Sequence, residues 1–272
     1  MNRFIAGLVG KMRDVDIYTV LVKGQGVVQC YERPLWRSCG DVDLLLSPEN
    51  YPKAKLFLLD LCTTNKLEER YSKHLGLILD SWYVEIHGLL RTGLSSRVDK
   101  VIDEVQRDVI YNGNVRSWDN GSIQVFLPSH DNDIYFIFTH FLMHFYRERM
   151  NLRQLSDLCR LLWTFRERID SKVLKLRLKQ AGLLPEWKAF TALSAKYLGM
   201  PTEAIPLYDK NEKKWLNKAE SIINYILLGY SSNWAINTWR IAKIFPLKVF
   251  QYLPSICLNV NWLKIKERVL GL

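Results

Sequence analysis

Apolar and polar positions change period near residue 128. Before it, short runs rich in Val, Ile and Leu recur at Ile17 to Val22, Val42 to Leu46, Gly76 to Leu79 and Trp82 to Leu89. Their length and patterning predict strands. Asp80-Ser81 between the last two predicts a tight hairpin turn. Pro48-Glu49 opens a helical pattern that places Ala54, Leu58, Leu61 and Cys62 on one face. The turn dipeptides Asn112-Gly113 and Asn120-Gly121 bracket what reads as an exposed excursion. From Ser129 onward the period is helical. Ser129 is an N-cap candidate, followed by the stripe Ile134, Ile137, Phe138, Phe141 and Phe145, then by Leu152, Leu155, Leu158, Leu161 and Leu162. Gly182 with Pro185 and Gly199 with Pro201 punctuate later helices, and Pro246 and Pro254 interrupt the C-terminal segment. These patterns predict an α/β (α+β) protein: a small mixed-sheet domain over 1–127, then an α-helical domain over 128–272.

One strand start carries candidate chemistry. Gly40-Asp41-Val42-Asp43 leads directly into Leu44-Leu45-Leu46. In a strand, alternate side chains share a face, so Asp41 and Asp43 project together while Val42 and Leu44 enter the core. Glu85, in Tyr83-Val84-Glu85-Ile86-His87 on a neighbouring strand, supplies a third carboxylate. Three hard oxygen donors suit Mg²⁺, whereas a solvated strand end explains the same residues without chemistry. Two other Asp-x-Asp pairs carry less. Asp14-Val15-Asp16 reads as a solvated turn, and Asp131-Asn132-Asp133 as acidic residues complementing a helix start.

Charge and thiols narrow the setting. The 38 basic and 28 acidic residues give a net charge of +10, which favours anionic partners such as nucleotides, nucleic acid or lipid headgroups. Arg240, Lys243, Lys248, Lys264, Lys266 and Arg268 lie in the last segment against Glu267 alone. Trp234, Trp239, Phe245, Phe250, Tyr252 and Trp262 interleave with them, a pattern compatible with nucleic acid or an anionic membrane but read first as packing on the helical domain. Cys30, Cys39, Cys62, Cys159 and Cys257 include no Cys-x-x-Cys pair, which fits a reduced compartment, with the cytoplasm as the expectation. The stretch Phe4 to Val9 is too short for a secretory core, and no run approaches the ~18 apolar residues of a membrane span.

Lys23-Gly24, Tyr31, Pro34, Arg37, Gly40-Asp41-Val42-Asp43-Leu44-Leu45 and Val84-Glu85-Ile86-His87 resemble the uncharacterised bacterial nucleotidyltransferases of the DNA polymerase beta superfamily. His140, His144, Leu152-Arg153 and Asp157-Leu158 are similar to the helical stretch that follows the catalytic part in that family. The resemblance covers roughly residues 17 to 165 and rests on the order of the motifs. It implies transfer of a nucleoside monophosphate from an NTP, ATP or another, to an acceptor hydroxyl. Two Mg²⁺ ions, or Mn²⁺, would be held by Asp41, Asp43 and Glu85, and Glu85 would help deprotonate the acceptor. Lys23 and Gly24 would contact phosphate after the first strand, with Arg37 as a second phosphate contact. One departure stands out. The superfamily usually has Gly-Ser where this chain has Gly24-Gln25, and glutamine supplies no hydroxyl.

The remaining candidates have competing readings. His87, on the same strand face as Glu85, either orients the acceptor near the metals or pairs with a neighbouring acid. His140 and His144 are four apart on a helix but have no obvious third zinc ligand, so packing or a polar contact is preferred; Arg153 and Asp157 read most simply as a helix-surface ion pair. The resemblance allows Arg153 and Asp157 a role facing the active cleft, and the position of all four polar groups directly after the α/β half makes them, with His87, the acceptor-side candidates. The competing function is a catalytically silent nucleotide- or nucleic-acid-binding module on the same fold.

Overall fold

The computed structural model describes residues 1–65, 68, 73–147, 150–209, 213–229, 231 and 233–252. Two compact units are present. The first comprises 1–91, 102–137 and 167–169, and the second 92–101, 138–166 and 170–272. The last segment, including Trp262 and the basic residues beyond 252, lies outside the described residues.

The first unit is built on a mixed sheet of seven strands. In chain order its elements are α1 (Asn2–Arg13), β1 (Thr19–Val22), α2 (Gly24–Val28), β2 (Asp41–Leu46), α3 (Asn50–Leu59), β3 (Thr64–Asn65), β4 (His74–Leu79), β5 (Trp82–His87), most of α4 (Ser96–Ile110), β6 (Val115–Asn120), β7 (Ile123–Pro128) and the start of α5 (His130–Arg147). The sheet order is β3-β4-β5-β2-β1-β7-β6, with β2 parallel to β5 and β1 parallel to β7. Strand alternation decides what each face carries. Val42, Leu44 and Leu46 of β2, Val84 and Ile86 of β5, and Leu75, Leu77 and Leu79 of β4 pack with Ile5, Leu8, Val9 and Met12 of α1 and Tyr51, Ala54 and Leu58 of α3. The carboxylates of β2 and β5 are therefore left to the opposite face.

Two expectations from the sequence change. The segment between Asn112-Gly113 and Asn120-Gly121 is largely exposed but is a strand rather than an excursion: β6 pairs with β7 in a hairpin around Asn120-Gly121, and β7 joins the sheet beside β1, burying Val125 and Leu127. Isolated turn dipeptides could not distinguish a loop from a hairpin that docks on a distant strand. The helix expected from Pro48 ends at Leu59, so Leu61 and Cys62 follow it, and Leu61 is exposed. The Asp80-Ser81 turn forms as expected, with both residues at positive φ, 47° and 67°.

The second unit contains the rest of α5, α6 (Leu152–Phe165), α7 (Ser171–Ala181), α8 (Leu184–Leu198), α9 (Lys213–Leu228) and α10 (Trp234–Ile244). Asn151 and Gln154 form a reciprocal capping box at α6, and Gly182 and Gly199 end α7 and α8 in the left-handed conformation, as their positions in the sequence imply. Phe138, Phe141 and Phe145 of α5 meet Trp187 and Phe190 of α8 edge to face, with ring centroids 4.9 to 5.2 Å apart.

Glu186 is fully buried in this helical unit. It accepts a hydrogen bond from Tyr146 Oη at 3.1 Å, and Lys248 Nζ lies 3.4 Å away. Burial, only partly opposed by Lys248 and the hydrogen bonds, raises its carboxyl above the ordinary 4.5. Protonation is thus favoured by folding, and the associated stability is complete below the unfolded value and lost as pH rises through the folded one. Glu186→Gln, neutral at every pH, should gain stability relative to the wild type between pH 4 and pH 8, measured by urea unfolding. An unchanged difference across that range would remove the buried carboxyl as the source.

Candidate metal and nucleotide site

The site begins where β1 ends. Lys23 has φ 58° and ψ −154°, a region that essentially only glycine occupies and that costs about 1–3 kcal/mol. The turn it makes into α2 carries its side chain onto β2, where Lys23 Nζ lies 2.8 Å from Asp43 Oδ1. Gly24, with φ 34°, starts α2, and a Cβ there would lie 3.6 Å from the Asp41 carbonyl. Gln25 is buried and donates through Nε2 to Asn2 Oδ1, so the side chain that replaces the expected serine is tied to α1.

Register assembles the carboxylates. Asp43 pairs with Glu85 across the parallel β2–β5 ladder, and Asp41 precedes it by one pleat repeat. One ligand oxygen from each of Asp41, Asp43 and Glu85 lies within 4.8 Å of the others. Asp43 is buried, whereas Asp41 and Glu85 retain some exposure. A second group overlaps the first. His87 Nε2 sits 2.8 Å from Asp43 Oδ1 and 3.6 Å from Glu85 Oε2, while His74 Nε2 is 3.2 Å from that same Glu85 oxygen. The His74 and His87 rings stack 4.7 Å apart at 3°.

The electrostatics follow from these contacts. Burial would raise the Asp43 carboxyl, but the Lys23 ammonium and His87 outweigh it and hold the group well below the usual carboxylate range. Burial and the charge of Asp43 instead push Asp41 up, despite Lys23. Burial also works against ionised Glu85, yet His74 and His87 bring it below its ordinary value. Lys23 is raised because Asp43 and its neighbours overcome the effect of burial; His87 is lowered by burial and by Lys23. A convergent set of three carboxylates fits a hard divalent cation.

The other residues singled out in the sequence occupy different settings. Arg37 is half-buried and donates through Nη1 to Ser38 O at 2.6 Å and Cys39 Sγ at 3.1 Å. His140 and His144, in the second unit, lie edge to face with Nε2 atoms 3.1 Å apart. Arg153 and Asp157 are on α6, where Arg153 is exposed and Asp157 is buried. His74 is not among the residues that the sequence pattern singles out. Counting outward from the Asp80-Ser81 turn places it opposite His87, as the register shows, but the apolar run that marked the strand began at Gly76. That glycine also has a local reason: a Cβ there would meet the Tyr83 hydroxyl at 2.2 Å.

Residues 3–199 match the family described as uncharacterised nucleotidyltransferase. The chain belongs to this nucleotidyltransferase family. A solved structure, that of an antigenic nucleotidyltransferase-like protein from Paracoccidioides brasiliensis, is similar at 12% identity and a TM-score of 0.44, over 76% of this chain and 93% of that one. No curated protein matches the sequence. The family description implies a nucleotide substrate, and the acidic cluster is a candidate cation site of the kind such enzymes use. Among the described residues, no helix is long and apolar enough to cross a membrane.

Proposed function

We propose that this nucleotidyltransferase-family member moves a nucleoside monophosphate from an NTP to an acceptor hydroxyl, with Asp41, Asp43 and Glu85 holding two Mg²⁺ or Mn²⁺ ions. The observation that carries the reading is the convergence of those carboxylates on one sheet face, their oxygens within 4.8 Å. When bound, the ions would neutralise the triphosphate and stabilise the attacking and leaving oxygens. Glu85, ionised and partly exposed, accepts the proton of the acceptor hydroxyl as that oxygen attacks the α-phosphorus. The bond from the α-phosphorus to the bridging oxygen breaks, and pyrophosphate leaves. Lys23 exchanges its contact with Asp43 for the triphosphate, the Gly24 backbone N–H donates to phosphate, and Arg37 serves as a further phosphate contact. His87, held between Asp43 and Glu85, orients the acceptor.

In this reading residues 1–127 are the catalytic domain and 128–272 the acceptor-side domain, with His140, His144, Arg153 and Asp157 discriminating among acceptors. Generic triphosphate chemistry needs such contacts elsewhere to select one hydroxyl from another. Arg153→Ala should then slow use of an acceptor by at least tenfold (about 1.4 kcal/mol) while leaving NTP affinity by calorimetry unchanged. Equal transfer kinetics would remove Arg153 from the acceptor side.

The deciding experiment for the function is release of pyrophosphate from labelled NTPs by the full chain, with Mg²⁺ and pooled sugar, small-molecule, protein and nucleic-acid acceptors. Metal-dependent release with label on one acceptor is expected. Saturable NTP binding without release would favour the silent binding module, for which Gln25 in place of a serine and tied to Asn2 is the supporting observation.

A further inference from the structure

We propose that His74, Glu85 and His87 form a second cation site, selective for Zn²⁺ or a similar first-row transition ion over Mg²⁺, with the Glu85 carboxylate shared between it and the Asp41–Asp43 pair. The register of the β4–β5 hairpin sets it up. His74 and His87 are directly opposed, and Glu85 lies one pleat repeat from His87 on the same face. Their Nε2 atoms lie 3.2 and 3.6 Å from one oxygen, Glu85 Oε2, and binding requires the rings, parallel to within 3°, to turn until both planes meet at the ion. Ligands bound tetrahedrally at the usual zinc distances of 2.0–2.1 Å stand about 3.3 Å apart. The two nitrogen-to-oxygen separations bracket that spacing before any ion is bound.

The donor set decides the class of ion. Mg²⁺ takes oxygen ligands and keeps water, whereas two imidazoles and one carboxylate suit Zn²⁺, Co²⁺ or Ni²⁺. Three protein ligands leave a position for water or substrate, as in catalytic zinc sites. His74 is 27% exposed and His87 9%, so an ion reaches the pair from the β4 side. On binding, the His87 proton shifts from Nε2 to Nδ1, and the nitrogen that faced Asp43 becomes a ligand. Asp43 keeps Lys23 as its partner at 2.8 Å, so the exchange does not strand a buried charge.

This site does not depend on nucleotidyl transfer, and its test needs no turnover. The full chain, stripped with a chelator, is titrated with Co²⁺ in a non-coordinating buffer and followed by visible absorption. One equivalent should produce the intense band of four- or five-coordinate cobalt, which millimolar Mg²⁺ leaves in place. His74→Gln should weaken Co²⁺ binding by at least about tenfold, whereas Asp41→Asn should leave the band intact. Should His74→Gln fail to fold by circular dichroism, imidazole ¹⁵N resonances of the wild type with Zn²⁺ provide the readout, with two Nε2 ligand shifts expected. Absence of the band, its loss to Mg²⁺, unaltered affinity in folded His74→Gln, or zinc-induced shifts confined to other histidines would each overturn the proposal.

Discussion

Asp43→Asn is expected to lower metal-dependent pyrophosphate release by roughly a thousandfold, the rate equivalent of about 4 kcal/mol of transition-state charge stabilisation. Asp41→Asn should lower it comparably, but the two variants should differ in stability. At neutral pH without added metal, Asp43 is an ionised group stabilised by Lys23 and His87. Its depressed proton affinity contributes stability above the unfolded value near 3.8, and that contribution is lost as pH falls toward the folded value. Asp43→Asn should therefore be less stable than the wild type at pH 7, with the gap closing in acid. Asp41 has the opposite sign. Its proton affinity is raised by burial and by Asp43, so its contribution is lost as pH rises through the folded value, and Asp41→Asn should melt above the metal-free wild type at pH 7. Added Mg²⁺ or Mn²⁺ should stabilise the wild type more than either variant. Thermal melts with and without metal, beside the release assay, check all of these signs. Wild-type release by both variants would remove the carboxylates from catalysis.

The second large effect concerns Lys23. Lys23→Met leaves the buried Asp43 carboxylate with His87 but without its ammonium partner, and removing one member of a buried pair costs on the order of 3 kcal/mol. Part of that loss should be absent in Lys23→Gly, because glycine adopts φ 58°, ψ −154° readily and relieves about 1 kcal/mol or more of backbone strain. The order of stability by denaturant unfolding is thus wild type, then Lys23→Gly, then Lys23→Met. A double-mutant cycle with Asp43→Asn isolates the pair: Lys23→Met should cost much less in the Asp43→Asn background, giving a coupling of roughly 1–3 kcal/mol. Additive effects in the cycle would mean that the lysine stabilises the turn by some route other than Asp43. The strained backbone also bears on function, since it aims the ammonium at the carboxylate face of β2, where a triphosphate would need a positive charge.

Local periodicity was sufficient for the strands carrying the site. Asp41 and Asp43 had to share a face because strand side chains alternate, and Val42, Leu44 and Leu46 identified the opposite face as core. The switch to a 3.6-residue period after residue 128 announced the helices, and Gly182 and Gly199 marked two of their ends through the left-handed conformation that glycine tolerates. The ordered motifs around Gly24, Asp41 and Glu85 led to the family that the match over residues 3–199 shows. What the sequence could not decide was pairing between distant segments. Nothing local states that β2 runs parallel to β5 with Asp43 beside Glu85, or that β7 docks on β1. Those choices depend on how separate apolar faces are buried together, so they belong to the whole unit rather than to any one stretch of it. The same non-local register put His74 against His87 and both beside Glu85, and turned a three-carboxylate pattern into two overlapping groups of ligands. Partnerships were likewise decided in three dimensions: Lys23 with Asp43, Gln25 with Asn2 and Glu186 with Tyr146 form because a buried polar group must find a partner within reach, and reach is a property of the folded chain.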